Sequence, residues 1–218
     1  AYRVLRSDLV ALQAPLDVPW IRKPLSSART EISVLPDGRI KLWIEHDVIK
    51  HVTPAMLVWW FQHLEGEMTF GGVTATRYRM WHPIDHVAIR YAKRRPDGSV
   101  GPGAVIHLHE RFAGNPKWTV NVHSTIQKLD ATGFIHHPRK LGLKVGEMEY
   151  AFEAVDGGTR YTNWLIAGIE GPFARVMNPV LRRTMFPDDH ARAWLTHNVE
   201  EVGNFEWFLP ALYAAEAR

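Results

Sequence analysis

The sequence predicts an α+β fold in which a curved antiparallel sheet wraps around a long C-terminal helix. Three observations predict it. From Val73 to Ile169, short alternating apolar runs follow one another with turn residues between them. After Pro187-Asp188-Asp189, apolar residues recur at helical spacing to about Leu209. Helical segments lie before and after the strands rather than alternating with them, which is an α+β order.

Residues 1–29 carry Pro15, Pro19 and Pro24 with few periodic apolar positions, predicting an irregular N-terminal arm before one domain over 30–218. Glu31 to Leu35 and Arg39 to Glu45 flank Pro36-Asp37-Gly38, a hairpin with turn chemistry at its tip. Thr53-Pro54 opens a helix that runs to about Leu64, with Thr as cap and Pro at the first helical position. Tyr78 to Met80, Val87 to Ala92, Val105 to Phe112 and Trp118 to Gln127 are predicted strands. Glu147 to Val155 pairs with Arg160 to Ala167 across Asp156-Gly157-Gly158. Met148, Tyr150 and Phe152 alternate there with Glu147, Glu149 and Glu153, so one face is buried and one is wet. Pro172 to Met185 predicts one helix or two short ones broken at Pro179, and Pro210 is expected to stop the final helix.

The 218 residues suffice for one domain with a real core. Nine Trp are many, and point to a core or pocket suited to a flat apolar ligand. A formal charge of +3 is too small to imply nucleic acid, and Lys93-Arg94-Arg95 and Arg182-Arg183 read as solvated faces. The absence of cysteine excludes a thiol nucleophile and thiolate metal ligands. No run approaches the roughly 18 apolar residues of a spanning segment, so no membrane partner is expected. With no leader pattern at the start, the expected location is cytoplasmic.

Candidate site residues emerge from faces. On the last helix Trp194, His197, Glu201, Phe205 and Phe208 form one stripe, with His190 a turn earlier. A carboxylate on such a stripe costs several kcal/mol unless it is paired, hydrogen-bonded or on a metal. His197 and Glu201 stand four apart, a spacing that suits two ligands on one ion. In the strand from Val105, the apolar set Ile106, Leu108 and Phe112 is interrupted by Glu110, a second inward carboxylate. His107 and His109 share the other face with Arg111 and are expected to face solvent. The segment from Tyr78 to His86 is dense in polar chemistry. The residues alone leave His82 and His86 open as a further ligand, and Asp85 as an orienting group. His46, His51, His63 and His123 read as surface or second-layer residues. Imidazole with hard oxygen suits Zn²⁺, ahead of Fe²⁺ or Mn²⁺.

These residues resemble the 2,4-diacetylphloroglucinol hydrolase and phloretin hydrolase family, zinc enzymes that cut a carbon–carbon bond between an acyl group and a phenolic ring. The resemblance runs from about Thr76 to Glu201. It rests on Tyr78 eight residues before His86 in Trp-His-Pro-x-Asp-His, on Glu110 in a strand, and on His197-x-x-x-Glu201. It implies a helix-grip, START-like fold and a metal set of His86, Glu110, His197 and Glu201. It also implies that Tyr78 and a further His, either His136 or His137, bind substrate and move protons. A second family Tyr matches Tyr150 or Tyr161, with Tyr150 preferred for its apolar face, and Trp194 is expected against the ring. The family's Asn three residues after the first ligand is Ile89 here, and a shorter N-terminal region than the family's is expected. The implied reaction hydrolyses an acyl-phloroglucinol or phloretin-like ketone to a carboxylic acid and a phenol. The implied partner is a small aromatic ketone, with a homodimer left open. The competing readings are a non-haem iron oxygenase and a non-catalytic carrier of a hydrophobic ligand.

Overall fold

The computed structural model describes residues 14–19 and 21–217. The predicted arm therefore falls outside the described residues at 1–13 and 20, as does Arg218. Strands β1 (Arg29–Val34), β2 (Ile40–Glu45) and β3 (Ile49–Lys50) precede helix α1 (Pro54–Gln62). A small hairpin, β4 (Glu67–Phe70) with β5 (Val73–Thr76), leads into α2 (Arg77–Trp81). Then come β6 (His86–Lys93), β7 (Val105–Arg111), β8 (Thr119–Asp130), β9 (Gly133–Lys140), β10 (Leu143–Lys144), β11 (Gly146–Val155) and β12 (Gly158–Ala167). Helices α3 (Ala174–Met185) and α4 (Asp188–Glu216) close the chain.

The main sheet is antiparallel in the order β1-β2-β12-β11-β9-β8-β7-β6, with β10 on β9 and β3 on β12. Asn198 on α4 accepts a 2.8 Å hydrogen bond from Asn163 on β12, while Glu201, one turn on, lies 3.3 Å from His86 at the start of β6. Those two strands are five steps apart, about 24 Å in a flat sheet. The sheet must therefore curl around α4, which is the helix-grip arrangement.

Local chemistry explains most elements. Thr53 caps α1 by accepting from the Met56 amide at 3.3 Å. Gly38, at φ 82°, makes the tight turn between β1 and β2. On β11, Met148, Tyr150 and Phe152 point inward as their alternation predicts. The core joins the sheet to α1 and α4 through a cluster of large rings, with Trp60 5.0 Å from Phe208 and Trp81 5.2 Å from Phe205. Each such side chain contributes roughly 1.5–3 kcal/mol on burial.

Four expectations are corrected. Tyr78 to Met80 is helix α2, not strand: Thr76 caps it, and the His82 and His86 amides continue the coil by bonding to the Tyr78 and His82 carbonyls. Strand β9 was not anticipated, because Gly133, His136, His137 and Pro138 are weak strand formers, and the short β4–β5 hairpin was not anticipated either. Pro179 lies within α3 rather than breaking it. Pro210 does not end α4, which runs on to Glu216. There Tyr213 packs on Trp59 and Glu216 pairs with Arg77, so tertiary contacts hold the last turns despite the lost backbone bond. No helix among the described residues is long and apolar enough to cross a membrane.

Candidate metal centre

β6 and β7 place the first two groups. His86 and Glu110 are cross-strand partners, and a register shift immediately follows His86. Directly opposed residues share a face, and a bulge re-aims the side chain beside it. The coil of α2 then brings the Tyr78 carbonyl to 2.7 Å from His86 Nδ1. This leaves Nε2 as the free nitrogen. The Tyr78 ring stacks on the His86 ring at 3.7 Å, and its hydroxyl donates a short hydrogen bond to Glu110.

α4 supplies the other two. His197 and Glu201 face inward on successive turns, with 3.6 Å between Nε2 and the Glu201 carboxylate. His197 Nδ1 is held by Asp85 at 3.0 Å. The other Asp85 oxygen accepts from the Gly114 amide at 3.0 Å. Asp85 thus orients the histidine on α4.

The four groups converge. His86 Nε2 lies 3.3 Å from Glu201 and 3.8 Å from Glu110, and it has no hydrogen-bond partner. His86, His197 and Glu201 offer atoms all within 4.8 Å of one another. A tetrahedral centre with bonds of about 2.0–2.1 Å needs donors about 3.3–3.4 Å apart. The donor set therefore fits a divalent cation: two imidazoles whose far nitrogens are anchored, and two carboxylates.

Electrostatics agree. Burial, then the charges of His197 and His82, holds the His86 ring well below its usual pKa, so it is neutral with a lone pair to give. Burial pushes Glu201 up to about 8; His197 opposes the rise and Glu110 adds to it. Burial pulls His197 down, but Glu201, Asp85 and Glu110 outweigh it and raise the ring to about 9. Without a cation the cluster retains a proton that a cation would displace.

Glu110, His197 and Glu201 line a cavity of about 470 Å³, and His86 sits behind them. Tyr78, Glu110, His136, Tyr150 and Trp194 line it, and Ile89, Ile106 and Leu108 form an apolar wall. His136 faces in, paired with Met148 across β9 and β11, and its Nδ1 meets the Ser124 hydroxyl at 2.6 Å. Burial lowers its pKa to about 3, so it is neutral. His137 is on the opposite face, 3.5 Å from Glu147, and does not line the cavity. Of the two expected histidines, only His136 can touch a ligand there. Tyr150 lines the cavity, whereas Tyr161 packs behind it with ring centroids 5.9 Å apart.

His82 is not part of the quartet. It stacks on His197 at 4.5 Å, accepts from the Asp85 amide, and lies 3.0 Å from Glu200. His107 meets Asn121 at 2.6 Å and stacks on His123, away from the cavity. His109 is also off the cavity but is buried rather than solvent-facing. His46 is likewise buried, at 2.7 Å from Asn163, which continues to Asn198 on the cavity wall. The sequence offered no signal for that asparagine pair. For His190 it placed the ring on the stripe without foreseeing its position on the cavity wall, stacked between Trp118 and Phe186.

A comparison with curated proteins finds no match. Among solved structures, the chain is similar to Ara h 8.0201 at 16% identity and TM-score 0.48, covering 78% of this chain and 97% of that one. It is similar to protein Ms6760 from Mycobacterium smegmatis at 14% identity and TM-score 0.48, covering 86% and 98%. A START superfamily protein from the same organism matches at 13% identity and TM-score 0.43, covering 75% and 98%. The model of one protein family, the DAPG hydrolase PhiG domain, matches residues 23–156. That stretch holds Tyr78, His86, Glu110 and His136 and ends before α4. With more than half of its length matched, the chain belongs to the DAPG hydrolase PhiG domain family.

Proposed function

We propose that the protein hydrolyses the carbon–carbon bond between an acyl group and a polyhydroxylated aromatic ring, using one divalent cation, zinc, held by His86, Glu110, His197 and Glu201. The observation that carries this reading is the unpartnered His86 Nε2, set between the carboxylates of Glu201 and Glu110, which line an aromatic-rich cavity. A carrier of apolar ligands has no use for two carboxylates there.

A cation in this quartet would supply Lewis acidity toward the acyl carbonyl and acidify a water. The chain's own residues do the rest. Trp194 and Tyr150 flank a flat ring and exclude bulk water. Burial, then the Glu110 charge, holds the Tyr78 hydroxyl well above its ordinary pKa, so it stays protonated and serves as a donor. Its hydrogen bond to Glu110 gives it a route to regain a proton after donating one. The neutral His136, fixed by Ser124, can hold a ring hydroxyl. In balance, the ring carbon gains a proton, the acyl carbon gains hydroxide from water, and the bond electrons return to the ring. A phenol and a carboxylic acid leave. Ile89 gives the wall no hydrogen bond, so a ring hydroxyl has no partner on that side.

The test is elemental analysis of the purified protein, with assay of a panel of acyl phenols by the zinc-loaded form. Stoichiometric metal and release of a carboxylic acid are expected. No turnover across the panel overturns the substrate class. Iron with oxygen consumption would favour an oxygenase.

A further inference from the structure

Helix α3 is inverted relative to an ordinary surface helix. Its inward side is mostly small and polar: Ala174 and Asn178 are buried with Leu181 half-buried beyond them, and Asn178 bonds to the Ile169 backbone and to the Asp37 carbonyl. Three of its larger apolar residues face outward. Phe173 (just before the helix), Val176, Met177 and Val180 follow helical spacing and are all exposed, Val176 at 76%. Packing cannot account for this stripe, because the helix is anchored by its polar side. Water disfavours it, since contiguous exposed apolar surface on a helix marks an interaction site.

A second apolar element lies at the same end. The turn joining β9 to β10 presents Leu141, 97% exposed, and Leu143. Lys144 ties this turn to Glu170, a few residues ahead of α3, at 3.2 Å. Lys140 from the turn, with Thr184 and Phe186 from α3 and the residue after it, lines the cavity. Both apolar elements therefore adjoin exposed residues, Lys140 and Thr184, that line the cavity.

The charges indicate what covers them. Arg175, Arg182 and Arg183 on α3 form no ion pair among the described residues. Glu170 is already paired with Arg39 and Lys144. A symmetric contact through α3 between two copies would set these guanidiniums against each other. An anionic surface with an apolar interior satisfies both sets at once.

We propose that α3 and the Leu141–Leu143 turn dock the protein onto an anionic lipid bilayer, with the cavity mouth turned toward the lipid. The expectation of no membrane partner came from the lack of a spanning segment, which does not bear on a helix lying in the interface. Docking would deliver an amphiphilic acyl phenol directly to the mouth. That consequence, unlike docking itself, rests on the proposed reaction.

The test is co-sedimentation of the full chain with vesicles of equal phosphatidylglycerol and phosphatidylcholine, against phosphatidylcholine alone. Neither substrate nor metal loading enters the readout, so its failure is separate from failure of the hydrolase reading. Binding to the anionic vesicles is expected, with release at high salt. Val176→Asp with Val180→Asp, and separately Arg182→Ala with Arg183→Ala, should each lower partitioning roughly tenfold or more. Circular dichroism should be unchanged in both pairs. Absence of wild-type binding to anionic vesicles overturns the proposal, as does binding indifferent to composition and salt. A concentration-dependent dimer that Val176→Asp dissociates, without vesicle binding, assigns the stripe to a second copy and also overturns it.

Discussion

Two clusters meet at His197, and they differ in one respect. On its inner side, His86, His197 and Glu201 converge with Glu110 around a nitrogen that bonds to nothing. On its outer side, His82, Asp85 and His197 are as close together, yet the Asp85 carboxylate is spent on His197 and the Gly114 amide, and His82 lies against Glu200. Proximity of histidine and carboxylate does not distinguish a site from a scaffold. Each cluster holds a buried ring nitrogen without a hydrogen bond, and what distinguishes them is the donors around it: His86 Nε2 faces two carboxylates that line the cavity, Glu201 at 3.3 Å and Glu110 at 3.8 Å, whereas His82 Nε2 has Glu200 at 3.0 Å beside an Asp85 already bonded to His197 and Gly114.

The sharpest way to break this contrast is Glu201→Gln. It keeps the shape and removes an anionic ligand, so metal content should fall to background with loss of hydrolysis, read by elemental analysis and assay. Retained stoichiometric metal would move the site to the outer cluster. Tyr78→Phe should keep the metal and lower kcat by about 10²-fold or more, as expected for loss of a positioned proton donor. An unchanged kcat would remove Tyr78 from the chemistry.

A hydrogen-bonded network elsewhere, His46–Asn163–Asn198, tests the scaffold side through pH. Burial, despite the Asn163 hydrogen bond, lowers His46 to about 4. An unfolded chain takes up that proton near pH 6.5. As pH falls from 6.5 toward 4, the unfolded state binds a proton that the folded state refuses, so stability is lost, by at most about 3 kcal/mol. Thermal unfolding from pH 7.5 to 4.5 should show the drop, and His46→Gln should remove its share, leaving the part that the buried His86 and His136 contribute. Asp85→Asn retains a hydrogen-bond acceptor for His197 without the charge, and should weaken metal binding about 10–100-fold in chelator competition. Glu200→Gln is expected to do least, leaving metal affinity unchanged and stability within about 0.5 kcal/mol.

How much of this was legible varies with the kind of signal. Glu110 and Glu201 could be found because each interrupts an apolar face of known period. The inward set of β11 was legible for the same reason. The first ligand was not: His82 and His86 both sit beside Pro83, where no period applies, and the resemblance favoured His86. His136 and His137 are adjacent, so choosing between them required the register of β9, a strand the sequence had not revealed. Pro210 misled because proline reports only a local backbone cost, and the last turns of α4 are held by Trp59 and Arg77 from elsewhere in the chain.

The sequence by itself determined the α+β order, the terminal helix, the absence of thiol chemistry and two carboxylates where apolar residues belong. Periodicity and composition are local properties, and a chain writes them directly. Only the tertiary structure decided which nitrogen stays unbonded, which histidine of a pair faces the cavity, and that Asp85 serves His197. Those outcomes depend on the register of paired strands and on the curl that brings β6 against α4. The Asp85–His197 bond and the approach of His86 to Glu201 join residues more than a hundred positions apart, and the facing of His136 follows its pairing with Met148 on β11, so no local pattern encodes them.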